Sequence, residues 1–146
     1  MTLIIDTDED IRKALAMRHI AVIGFSEKPA RASHYVSVYM ANAGYRVIGV
    51  NPLIYLRNDL PISVVETLSD VPPPIDIVNV FRKSDEIPEI AEAAIKRGGV
   101  KVLWLQEGIE HAAAAKMARE AGLLVIENRC LLKEHAREER RKESEL

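Results

Sequence analysis

Short, nearly unbroken apolar runs alternating with stretches of helical spacing predict an α/β fold in which helices cover both faces of a mainly parallel sheet of five or six strands. Two observations carry this. The runs, of which His19-Ile20-Ala21-Val22-Ile23-Gly24 is the first, are rich in Val and Ile and short, as strands buried on both faces are. Glycines close the helical stretches between them, at Gly44, Gly98-Gly99 and Gly122. Strand-helix alternation of this kind implies right-handed crossovers and a doubly wound, Rossmann-like architecture.

Taken in order, Asp6-Thr7-Asp8-Glu9-Asp10 supplies capping residues and first-turn acids for a leading helix, with Ile11 and Leu15 on its apolar face. The central strand follows, ending at Gly24, and a polar loop runs to Ser33, the expected N-cap of a helix carrying Tyr35, Val36, Tyr39, Met40 and Ala43. Arg46–Val50, Ile75–Phe81, Val100–Leu105 and Leu123–Ile126 read as further strands. Ile87–Ile95, with Pro88 in its first turn, and Glu110–Ala121 read as helices. Residues 53–74 hold four of the seven prolines and are expected to contain only a short edge strand and a turn of helix. From about residue 131 the mixed charges suit a solvated terminal helix, and residues 1–146 read as one domain.

Apolar residues make up 48% of the chain and charged residues 29%, the balance of a globular protein. A net charge of −2 gives no general attraction to nucleic acid, and no apolar run is long enough to span a bilayer. The expected setting is therefore cytoplasmic, without nucleic-acid or membrane partners. Abundant Glu, Lys and Arg beside a single glutamine is a pattern of proteins from hot environments. The single cysteine excludes an internal disulfide and a thiolate zinc cluster.

In an open doubly wound sheet, ligands bind beyond the carboxyl ends of the strands. There the first strand delivers Gly24-Phe25-Ser26-Glu27-Lys28-Pro29-Ala30-Arg31-Ala32-Ser33, the second Asn51-Pro52, the third Phe81-Arg82-Lys83-Ser84, the fourth Gln106-Glu107-Gly108, and the last Asn128-Arg129-Cys130. A glycine, hydroxyls, a helix start and two cations are what a phosphate needs. Gly24 and Ser33 also fit a plain turn and a cap, and Arg82 has Asp85 and Glu86 within ion-pairing reach. The loop lacks the G-x-G-x-x-G spacing, and Asn51 stands where an acid would grip the ribose of a dinucleotide.

Val22-Ile23-Gly24-Phe25-Ser26 with Pro29, Arg31 and Ser33, then Val50-Asn51-Pro52, Asp76-Ile77-Val78 with Val80-Phe81-Arg82, Trp104-Leu105-Gln106 with Gly108, and Asn128-Arg129-Cys130 with Glu134-His135 together resemble the stand-alone CoA-binding domain proteins. That family is similar to the CoA-binding domain of the succinyl-CoA synthetase alpha subunit. The resemblance implies that Gly24–Ser33 cradles the pyrophosphate of coenzyme A, with Arg31 and Lys28 on its oxygens. It puts Asn51 and Pro52 near the adenosine and Phe81 and Arg82 in the same crevice, with Gln106, Gly108, Asn128 and Arg129 bordering the pantetheine arm or serving a partner surface. Two positions depart from the family pattern: Gly49, where a proline often stands, and Phe25, which replaces the usual small residue and is expected to narrow the pocket.

The implied function is a non-catalytic module that binds or senses CoA or acyl-CoA. The alternatives are a CoA-binding subunit of an ADP-forming acyl-CoA synthetase and an NAD-binding redox sensor. The phosphorylated histidine of the larger ligases lies on a separate domain, and His19, His34, His111 and His135 read as packing or surface residues. Cys130, near Arg129 and Lys133 at the ligand edge, is either a thiol able to form a mixed disulfide with CoA or a small buried residue. A protein partner is expected for the subunit reading, and an edge strand or the first helix offers a homodimer surface.

Overall fold

The computed structural model describes residues 7–145. Asp6, expected in the first cap, and the ends of the 1–146 span lie outside them. Thr7 caps the first helix, α1 (Asp8–Leu15), by accepting from the Asp10 N–H while the Asp10 carboxylate accepts from the Thr7 N–H. The chain then enters β1 (His19–Ile23), α2 (Ala32–Asn42) and β2 (Arg46–Val50). In the proline-rich stretch only β3 (Ser63–Val65) and a single 3-10 turn at Leu68–Asp70 form. β4 (Ile77–Val80), α3 (Ile87–Arg97), β5 (Val102–Leu105), α4 (Ala112–Glu120), β6 (Leu124–Ile126) and α5 (Leu131–Ser144) complete the order.

All six strands are parallel, in the order β3-β2-β1-β4-β5-β6. The chain moves outward from β1 through β2 and β3, then returns to the other side of β1, so the topological switch point lies between β1 and β4. Successive strand residues face opposite layers. Ala21, Val78, Val80, Leu103 and Leu105 pack under α3 and α4, whereas Val22, Ile77, Val102, Trp104 and Ile126 pack under α1, α2 and α5. Both layers are largely apolar, and among the described strand residues the one buried polar side chain is Asn79, wholly buried in β4.

Among the described residues no helix is long and apolar enough to cross a membrane.

Candidate functional site

Gly24 sets the geometry of the switch point. Its N–H donates to Val50 O, and Ile23 O accepts from Phe81 N, so the chain leaving β1 is bonded to both neighbouring strands. A Cβ at Gly24 would stand 2.8 Å from Phe81 O and 3.0 Å from Arg82 Cδ, and the residue has φ +88°, a conformation costly for any other residue. The loop is then built from its own side chains. Ser26 Oγ accepts from Lys28 N, Ser26 O accepts from the His34 ring, and Arg31 N donates to Lys28 O across a turn that begins at Pro29.

Two cavities, each of about 420 Å³, open at this edge on either side of Arg82. One is lined by Gly24, Val50, Asn51, Pro52, Leu53 and Ile90. The other is lined by Ala32, Tyr35, Phe81, Lys83, Gln106, Glu107, Ile109, Cys130, Leu132 and Lys133. Gly24, Asn51, Pro52 and Arg82 therefore meet around the first cavity, and Phe81, Arg82, Gln106 and Cys130 around the second. Lys28, Pro29 and Arg31 are exposed on the loop outside both linings. Lys28, Arg31 and Lys83 form no ion pair among the described residues. Arg82 does: its Nε and Nη2 donate to Glu86 Oε1 at 3.2 and 2.8 Å, and the guanidinium holds the Glu86 carboxyl below its usual range. The competing use of Arg82 is thus the one seen without a ligand, and being exposed it is weak enough to be exchanged for a phosphate. Lys133 likewise pairs with Glu107 at 2.9 Å, which raises the ammonium above its usual value.

Two expectations are corrected. Ser33 is not the cap: α2 begins at Ala32, Arg31 occupies the cap position with no side-chain bond, and Ser33 is buried in the first turn with its carbonyl accepting from Ser37 Oγ. The unpaired N–H groups of that turn, rather than a serine hydroxyl, are what the helix presents. Phe25 is fully buried, with its ring stacked on His34 at 5.3 Å, and so does not narrow a pocket. A Cβ on Gly49 would lie 3.0 Å from Phe25 Cβ and Cγ, so the two departures from the family pattern are one packing arrangement, a large ring over a residue with no side chain. Gly108 is exposed and uses its N–H on Asn128 Oδ1 at 2.6 Å, tying the loop after β5 to the loop after β6.

Asn51 has its amide committed to backbone. Nδ2 donates to Phe25 O and Oδ1 accepts from Leu53 N, each at 2.8 Å, so it braces the first loop against the second. Cys130 is buried at the start of α5. Its loop is anchored by Trp104, whose Nε1 donates to Arg129 O at 2.8 Å. All four histidines have structural partners: His19 with Asp76, His34 with Ser26 O and Phe25, His111 with Ala114 N, and His135 with the Tyr39 hydroxyl. Burial pushes the His135 imidazolium below its ordinary value. No cluster of His, Cys, Asp or Glu among the described residues could hold a metal. Sequence reasoning placed Lys83 and Glu107 at this edge and missed Tyr35 and Leu132 on the second cavity, and Asn79 beneath it. Only Asn79 left a signal, a lone amide inside an apolar strand.

A doubly wound sheet with two cavities at its carboxyl edge and exposed cations on the first loop has the architecture of the Rossmann-like folds, here without the dinucleotide glycine pattern. The family profile described as CoA binding domain matches residues 18–136, and the chain belongs to that family. The uncharacterized protein YneT of Bacillus subtilis (strain 168) is 41% identical over 119 residues, covering 82% of this chain and 86% of that protein. The structure of cell-free ID.343 from Thermus thermophilus superposes with a TM-score of 0.83 at 34% identity, covering 90% of this chain and 98% of that one. A hypothetical protein from Pyrococcus horikoshii OT3 superposes with a TM-score of 0.82 at 38% identity, covering 90% and 92%.

Proposed function

We propose that this chain binds coenzyme A or an acyl-CoA along the carboxyl edge of the sheet and acts as a binding or sensing module with no catalytic step of its own. The observation that carries the reading is the pair of cavities flanking Arg82, one of them reaching Ala32 at the start of α2, with the exposed Lys28 and Arg31 on the loop that leads into that helix. A ligand with a nucleotide at one end and a long, largely apolar arm at the other suits two compartments separated by a cation. The phosphates go to the loop, where α2 offers unpaired N–H groups and Arg31 and Lys28 offer charge. The NAD reading loses support at Asn51, whose amide is occupied by Phe25 O and Leu53 N and offers no carboxylate to a ribose.

Isothermal titration calorimetry of the reduced protein with CoA, acetyl-CoA and NAD in parallel, at moderate salt, tests the proposal. Micromolar binding of CoA without heat from NAD is expected. Binding of NAD alone, or of none of the three, would overturn the assignment of the ligand while leaving the family intact. ATP-dependent thioester formation that appears only with a co-purifying protein would replace the module reading with the synthetase-subunit one.

A further inference from the structure

β4 reads Ile77-Val78-Asn79-Val80, and every residue in it is buried. Asn79 is 0% exposed and lies in register with Val22 on one side and Trp104 on the other. Neither neighbour is a partner, since valine has no polar side-chain atom and the indole N–H is used on Arg129 O. Asn79 Oδ1 accepts from Gln106 Nε2 at 2.6 Å, and Asn79 Nδ2 has no partner. A buried donor left unmade is destabilising, and an aliphatic residue would avoid it. What Asn79 provides is its grip on Gln106.

Gln106 is itself only 4% exposed, yet it belongs to the wall of the second cavity. With Nε2 held from below, the amide plane is fixed, and Oε1 makes no hydrogen bond among the described residues. Phe81, Ile109 and Leu132 make the surrounding wall largely apolar. A fixed carbonyl in such a wall selects for an N–H, because a ligand atom that cannot donate would leave it desolvated and unpaired.

We infer that Asn79 is a positioning residue of this cavity, holding Gln106 so that its side-chain carbonyl receives an amide N–H from the arm of the ligand. The inference rests on the CoA reading, since the pantetheine arm carries amide N–H groups and the nucleotide end is held elsewhere.

The test compares wild type with Asn79→Val, Gln106→Met and the double variant, by calorimetry with CoA and with adenosine 3′,5′-bisphosphate, which lacks the arm, and by thermal unfolding. Each single substitution is expected to weaken CoA binding about tenfold, the scale of one hydrogen bond to a desolvated group. The double variant should lose no more than either single one, bisphosphate affinity should be unchanged, and Asn79→Val should melt at or above the wild-type temperature. Losses that add, or a parallel loss of bisphosphate affinity, would overturn the inference. So would wild-type affinity for CoA in both single variants. Wild type that binds neither compound would instead overturn the CoA reading. Asn79→Ala, smaller than the native residue, carries the same comparison if the valine does not fit.

Discussion

At the amino-terminal edge of the sheet, Asp76 is enclosed by its partners. It accepts from the His19 ring at 3.0 Å and from His19 N at 3.2 Å, and Lys101 Nζ stands 3.3 Å away. Burial pushes this carboxyl up, but the hydrogen bonds from His19 and Lys101 outweigh it and hold the group below the usual carboxylate range. At the carboxyl edge, the side chains of Arg31, Lys28 and Lys83 form no ion pair among the described residues, and Arg82 has only an exposed one. The same strands thus end in a closed polar network on one side and in unspent positive charge on the other. One edge is arranged to be stable alone, and the other is arranged to be completed by an anion.

Substitutions at the two edges should therefore separate stability from binding. The largest effect is expected at Gly24, where both depend on one close approach. Gly24→Val places a Cβ against Phe81 O at a positive φ and should lower the unfolding free energy by ~2–4 kcal/mol, read by urea denaturation, with loss of CoA binding. Unchanged stability would show that the β1 and β4 loops can part. Next, Arg31→Ala should weaken CoA binding by ~1–3 kcal/mol through loss of a charge-assisted phosphate contact, with the melting temperature unchanged. Full affinity in this variant would remove Arg31 from the site. The smallest effect belongs to the closed edge: Asp76→Asn should lower stability by ~1–2 kcal/mol and leave CoA affinity as it is. The pH dependence has a definite sign. The folded Asp76 carboxyl lies below its unfolded value near 3.8, so its stabilisation is present above that pH and fades as the pH falls through the folded value. The asparagine variant should lack that part of the acid slope, and an unaltered slope would contradict the network.

Most of the layering was legible because apolar runs and glycine stops act locally. Arg46–Val50 and the helix from Ile87 need no knowledge of their neighbours, and Ser63–Val65 is the short edge strand its prolines foretell. What was not legible depends on contact across the fold. Ser33 fails as a cap because Arg31 is already extended and the helix starts at Ala32, a difference of loop geometry rather than of propensity. Phe25 reads as a ligand-edge residue from its place after Gly24, and only the empty space over Gly49 turns its ring inward. Asn79 showed only as a lone amide in an apolar strand, and its use depends on the neighbouring strand bringing Gln106 beside it. Of the site, the edge and its cations were readable from strand ends, whereas the division into two cavities needed the switch point between β1 and β4.

The bond from Trp104 to Arg129 O has an optical consequence. The chain has one tryptophan, wholly buried, and its indole N–H is attached to the loop that leads into Cys130 and the second cavity. Its fluorescence therefore comes from a single environment, and a shift in emission on adding a ligand or a denaturant reports the state of that loop without any introduced label.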